Sequence, residues 1–176
     1  DFPVRHGMTI AEVLAGVRAE LGIDAAQFEV VSMEGYRRDM LWADTGLPWV
    51  LPSPNMPTPD TALVYPGGCL LEGTNLSEGR GHTRPFEIWG APFVDGDALA
   101  ADVEIPGARL RALQFEPTFH KHSRQTCGGV QVHVTDPAVF EPYAAYMRLI
   151  AAVRRQAPDA FAWRTEPYEF VADIPA

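Results

Sequence analysis

Residues 72–87 read Glu72-Gly-Thr-Asn-Leu-Ser-Glu-Gly-Arg-Gly-His-Thr-Arg-Pro-Phe-Glu87, and among them only Leu76 and Phe86 are apolar. A run of carboxylates, guanidinium groups, imidazole and glycine cannot build a core, so the chain must fold around it as a shaped loop. Gly73, Gly79 and Gly81 are expected to permit positive φ or close approach to a ligand, and Pro85 fixes the exit. Loops of this kind carry function more often than stability. The plainer alternative is a solvated surface loop, in which Glu78 with Arg80 and Arg84 with Glu87 form ion pairs of little worth.

Two further stretches point to the same place. Pro117-Thr-Phe-His-Lys-His122 sets a cation between two imidazoles. Gly128-Gly-Val-Gln-Val-His-Val-Thr-Asp136 alternates, which predicts a strand with Val130, Val132 and Val134 toward a core and Gln131, His133 and Thr135 on the other face. Such a polar face beside a carboxylate-rich loop is expected to wall a binding cleft.

From Pro52 to Asp136 the sequence resembles the NamZ-type exo-β-N-acetylmuramidase family of bacterial peptidoglycan recycling. The matching pieces are Pro52-Ser-Pro-Asn-Met56, Tyr65-Pro-Gly, Cys69-Leu-Leu-Glu-Gly-Thr-Asn-Leu-Ser-Glu-Gly-Arg-Gly81, Thr83-Arg-Pro-Phe-Glu87, Gly90-Ala-Pro92, Lys121-His122 and Gly129-Val-Gln-Val-His-Val-Thr-Asp136. The opening Pro3-Val-Arg-His-Gly-Met-Thr9 and the closing Tyr168-Glu-Phe170 are similar to the family as well. The resemblance implies a two-lobed protein with a Rossmann-like first lobe. This chain is then expected to be one mixed α/β domain, the second lobe, cropped from a longer protein.

The resemblance implies a glycosidase that releases terminal N-acetylmuramic acid from the non-reducing end of peptidoglycan fragments, in a cleft completed by a glutamate of the first lobe. Glycoside hydrolysis needs carboxyl groups to protonate the leaving oxygen, activate water or attack the sugar. Glu78 is the first catalytic candidate and Glu72 the second, although an ion pair with Arg80 or Arg84 would lower the pKa of either and make it a poor acid. Arg80, Arg84 and Lys121 are natural partners for the lactyl carboxylate. Asn75, Thr74 and Thr83 suit the acetamido group or ring hydroxyls; Glu87, His82, His122, His133 and Asn55 complete the expected lining. No cofactor and no metal is implied. Where the family usually has Thr, this chain has His82 and Gly68. His82 thereby adds a group of a type that titrates near pH ~6.5.

The 176 residues suffice for an ordinary core, and a net charge of −9 argues against a nucleic-acid partner, which needs a basic footprint. No apolar run reaches the ~18 residues of a membrane span, and the first residues show no signal peptide. The family favours a secreted or periplasmic setting. Cys69 and Cys127 flank the candidate cleft; buried thiols are the reading preferred over a bridge.

Along the chain, Thr9-Ile-Ala-Glu12 predicts a capping box before a helix with Ile10, Val13, Leu14, Val17 and Leu21 on one face, ending at Gly22. Strands are expected at 28–33, 61–65, 86–89, 110–115 and 129–135, and a short helix at 96–101. Five prolines within residues 46–59 predict a stiff arm, on which Trp49 and Asn55 suit carbohydrate, or Trp49 merely anchors the arm. Asp136-Pro137 reads as a helix start, followed by a stripe of Tyr143, Tyr146, Met147, Ile150 and Val153. Phe161, Trp163, Tyr168 and Phe170 suggest a last strand or hairpin.

Two other function classes compete. His120 and His122, two apart, could ligate zinc with His133, Cys69 or Cys127, although Lys121 would repel the ion and the spacing fits no finger. Alternatively, the same loop could serve a glycan-binding module with no tuned acid.

Overall fold

The structure, a computed structural model, describes residues 6–18, 20–24 and 29–165. The fold is mixed α+β, and the chain divides into two compact units, residues 1–48 and 49–176.

In the first unit, α1 spans Ile10–Val17. Thr9 accepts from the Glu12 amide and the Glu12 carboxylate accepts from the Thr9 amide, which is the capping box expected from sequence. Arg38 forks onto the same carboxylate and holds its pKa down to about 2. The pair is exposed, so salt screens it. No residue of α1 is buried, Gly22 lies beyond its end, and Ile10 is 87 % exposed. The strand expected at 28–33 is absent over its described part, residues 29–33. Val30 and Val31 are β-formers, but β-propensity reports packing against neighbouring strands, and none is described in this unit.

The second unit opens with the proline arm, whose Trp49 indole N–H donates to the Met56 carbonyl at 3.0 Å and so ties the arm to itself. Then comes α2, Pro59–Gly68, where a strand was expected. Thr58 caps it by accepting from the Thr61 amide, Pro59 occupies the first turn and Asp60 favours the positive end of the dipole. These starting signals outweigh the β-character of the short run Ala62-Leu-Val64. A tight 3-10 turn, Cys69–Gly73, leads into the polar loop.

Beyond that loop lie three strands: β1 at Ile88–Ala91, β2 at Ala108–Phe115 and β3 at Cys127–Val134, with α3, Gly96–Asp102, between the first two. The sheet is antiparallel in the order β1-β3-β2, with Trp89 opposite Val130 and Leu110 opposite Val132. Val130, Val132 and Trp89 bury one face against Val64, Leu71, Tyr146, Leu149 and Val153. The opposite face carries a smaller cluster of Ile88, Leu113, Phe115 and Cys127, with Gln131 and His133 further along β3. The alternation read from sequence is thus the observed one.

The last helix, α4, spans Pro142–Gln156 rather than starting at residue 137. At Asp136 the carboxylate accepts from the Ala138 amide and closes only a turn; the helix begins at a second X-Pro step, Glu141-Pro142. Its buried stripe is Ala145, Tyr146, Leu149, Ile150, Ala152 and Val153, so Tyr143 and Met147 lie on its exposed flank, 49 % and 47 % accessible. Phe161 is buried, Trp163 forms one bridge with Thr74, and Tyr168 and Phe170 lie outside the described residues. Among the described residues no helix is long and apolar enough to cross a membrane.

Candidate active site

The polar stretch leaves the 3-10 turn at Gly73 and returns to the sheet at β1. Ser77 exchanges two backbone hydrogen bonds with Gly90, at 2.8 and 3.0 Å, so the middle of the loop lies along the edge strand. Gly79 and Gly81 have φ of +78° and +81°, as expected. At Gly79 a β-carbon would stand 2.0 Å from the Ile88 carbonyl oxygen. Gly73 departs from expectation: its φ is ordinary and a β-carbon there would meet nothing within 4 Å. The β2–β3 connection closes over the loop, Thr118 donating from both its amide and its hydroxyl to the Gly81 carbonyl.

At the centre is Glu78, with no solvent exposure. Its Oε1 accepts from Arg80 Nε at 2.9 Å and lies 3.1 Å from His120 Nδ1, and its Oε2 lies 3.0 Å from Lys121 Nζ. Lys121 Nζ also donates to the Leu71 and Leu76 carbonyls at 2.9 and 3.0 Å. Arg80 pairs through its far nitrogen with Glu72 and lays its guanidinium 5.5 Å from the Phe86 ring centroid. Burial pushes the Glu78 carboxyl up, but the Lys121 ammonium and the surrounding donors outweigh it and hold the group below the usual carboxylate range. For Lys121 burial wins over Glu78 and lowers the ammonium. The two directions differ because the carboxylate is paired with Arg80 as well as Lys121, whereas the ammonium also faces Arg164. Glu78 is therefore ionised, the poor general acid that an ion pair would make of it.

Glu87 forms a second buried centre, 4 % exposed, accepting from Thr61 Oγ1 at 2.6 Å and Thr58 Oγ1 at 3.3 Å, with Arg84 3.5 Å away. Arg84 keeps 40 % of its side chain exposed.

The other expected residues divide between those engaged by the fold and those apart. Asn75 clips the segment that follows α4, its amide donating to the Ala160 carbonyl and accepting from the Ala162 amide. Thr74 is buried and donates to Leu71. His122 Nε2 lies 2.7 Å from the Asn75 carbonyl. Thr83 is exposed and Asn55 half-buried on the arm. His82 turns an edge to Phe115, and its Nδ1 is buried without a hydrogen-bond partner among the described residues. Burial lowers its pKa. His133 lies exposed near the end of β3, opposite Arg109 of β2.

His120 is the neighbour of Glu78 that the glycosidase reading of the sequence passed over, weighing it only as a metal ligand. Its chemistry was visible in the spacing of His120, Lys121 and His122, but not the fold of that segment. Three residues there, His120, His122 and Arg124, take positive φ, so the segment is a tight loop instead of a strand and the imidazoles do not share a strand face. Among the described residues no three His, Cys, Asp or Glu side chains converge as a metal site. Cys69 and Cys127 are free thiols, and burial pushes Cys127 up to about 11.

The chain as a whole has recognisable relatives. A family model described as exo-beta-N-acetylmuramidase NamZ, C-terminal, matches residues 63–174, and its N-terminal counterpart matches residues 1–60. The peptidoglycan beta-N-acetylmuramidase NamZ of Bacillus subtilis (strain 168) is 45 % identical over 163 residues, 91 % of this chain. The chain spans only 39 % of that relative's length. A crystal structure of a DUF1343 family protein from Bacteroides fragilis superposes with a TM-score of 0.77 at 28 % identity, covering 85 % of this chain and 40 % of that one. A second from the same organism gives 0.50 at 24 % identity, covering 84 % and 39 %, which bears on the fold alone.

Proposed function

Because the chain belongs to the exo-beta-N-acetylmuramidase NamZ family, we propose that it is part of a glycosidase that removes terminal N-acetylmuramic acid from the non-reducing end of peptidoglycan fragments. The observation that carries this reading is the fully enclosed, ionised Glu78, held by Arg80, Lys121 and His120 in a loop that gives only Leu76 and Phe86 to the main core cluster. A fold does not need such a costly arrangement for stability, and perturbed buried charges gather at functional sites.

In this reading the chain supplies one wall of the site. Its three loop carboxylates are engaged by its own side chains: Glu78 as above, Glu72 by Arg80, and Glu87 by Thr58, Thr61 and Arg84. The proton for the leaving oxygen then comes from the part of the protein that the relative has beyond this chain's span, and Glu72, at the rim with 14 % of its side chain exposed, is the loop carboxylate nearest solvent. Arg84, half-exposed and only loosely held by Glu87, is the cation best placed to meet the lactyl carboxylate of the sugar. Lys121 is not, since its ammonium donates to the Leu71 and Leu76 carbonyls and is paired with Glu78 within the fold.

The engagement of every loop carboxylate also favours a second reading, a muramyl-glycan binding module without catalysis. A chromogenic N-acetylmuramic acid glycoside separates the two. The full-length protein is expected to hydrolyse it and this chain alone is not; Arg84→Gln is expected to raise KM about tenfold or more with kcat little changed, as for a lost charge-assisted contact. Binding of the glycoside by full-length protein without turnover would leave only the binding module.

A further inference from the structure

His120 is the member of the cluster to which the hydrolytic reading gives no task. Its Nδ1 lies 3.1 Å from Oε1 of the enclosed Glu78, yet 42 % of its own side chain is exposed. The backbone beneath it takes φ +71°, a conformation that residues with a β-carbon seldom adopt, so the loop is bent at a cost that sets this imidazole between a buried charge and solvent.

The neighbours of Glu78 decide how the ring is protonated. The carboxylate also receives Arg80 Nε and faces Lys121, and an ionised carboxylate can only accept hydrogen bonds. At 3.1 Å a ring lone pair facing the carboxylate would be repelled, which favours the ring nitrogen that faces it as the one that carries hydrogen. In the neutral imidazole this fixes the proton on Nδ1 and leaves a lone pair on Nε2. Nε2, separated from Nδ1 by one ring carbon, directs its lone pair at a wide angle to the Nδ1–H bond and so cannot face the same carboxylate oxygen. A fixed acceptor of that kind suits an O–H donor, and a glycan is rich in them.

We infer that His120 is a substrate-contacting residue whose Nε2 accepts a hydrogen bond from a hydroxyl of the bound glycan, with Glu78 as the positioning residue that holds the ring. This rests on the glycosidase reading and adds to it a contact residue outside the 72–87 loop. It also gives the enclosed carboxylate a purpose other than proton donation: it orients the ring.

The test uses full-length protein with 15N-labelled histidines, titrated with N-acetylmuramic acid, alongside hydrolysis of its chromogenic glycoside by wild type, His120→Asn and His120→Ala. Asparagine keeps an N–H near the position of Nδ1, and with it the link to Glu78, but has nothing at Nε2. Expected are an Nδ1-protonated ring, an Nε2 resonance that moves on titration, and for His120→Asn an unchanged thermal midpoint with KM raised roughly three- to tenfold and kcat changed less. Hydrolysis by wild type with no response at the ring and no change in KM in either variant would overturn the inference and leave the glycosidase standing. A ring response without any hydrolysis would sustain the inference and overturn the glycosidase in favour of the binding module. Neither response nor hydrolysis would overturn both.

Discussion

A glutamate with no solvent exposure is tolerable only where the protein replaces the water it has lost. Lys121 does much of that for Glu78, and its ammonium reaches the carboxylate and the Leu71 and Leu76 carbonyls together. Lys121→Met should therefore leave an under-compensated buried charge and cost about 3–5 kcal/mol, whereas Lys121→Met with Glu78→Gln should cost less than the sum of the two single changes. Urea unfolding of the four proteins checks both statements. The direction of the Glu78 shift gives a sign for pH as well. A carboxyl held lower in the folded than in the unfolded chain binds fewer protons when folded, so its stabilisation is fully present above the ordinary glutamate range and is lost as pH falls through the folded value. Unfolding free energy should thus decline below pH ~4.5, less steeply in Glu78→Gln. Sequence made the pairing of Glu78 with Arg80 legible because they lie two residues apart. It could not show that Lys121, 43 positions on, would claim the other oxygen; Lys121 looked instead like a free cation for a substrate carboxylate.

Among the elements, the loop is the one whose shape depends most directly on its residues. Gly79→Ala combines φ +78° with a β-carbon 2.0 Å from the Ile88 carbonyl, and should destabilise by several kcal/mol, on the order of 3 or more; Gly73→Ala, with ordinary φ and open space, should stay within about 0.5 kcal/mol. Comparing the two midpoints in denaturant isolates backbone conformation from glycine content. The helices teach the converse lesson about X-Pro signals. Thr58-Pro59 opens α2, although the apolar run behind it suggested a strand; Asp136-Pro137 closes only a turn, and the helix waits for Glu141-Pro142. A proline at N1 is compatible with helix and with turn alike, and the residues after it decide between them: beyond Pro142 the buried positions recur at helical spacing through Val153. The alternation of β3 was unambiguous because Val130 and Val132 are enclosed while His133 is not, whereas in the tight 117–125 loop three positive-φ residues with β-carbons leave no trace in a propensity argument.

For the molecule as a whole, the question is how much of the chain folds on its own strength. Every residue of the two buried clusters, from Val64 to Phe161, belongs to the unit of residues 49–176. The unit of residues 1–48 buries no side chain of α1 and exposes Ile10, Val31 and Met33 at 87 %, 90 % and 72 %. An eight-residue helix with one capping box and an exposed ion pair lies below the length at which helices persist alone in water. A fragment of residues 49–176 should accordingly unfold cooperatively by circular dichroism, with a midpoint within a few degrees of the whole chain, while residues 1–48 alone should show no transition. A non-cooperative 49–176 fragment would mean that the sheet and α4 need more than their own core. The same asymmetry sets what composition could and could not reveal: an apolar fraction of 47 % announces a globular chain, but the average hides that, among the described residues, the enclosed clusters lie past residue 48. The two family matches meet between residues 60 and 63 and the compact units between 48 and 49, so most of the proline-rich arm of residues 46–59 lies between the two divisions, and a proline-rich connecting stretch is a physical form that boundaries commonly take.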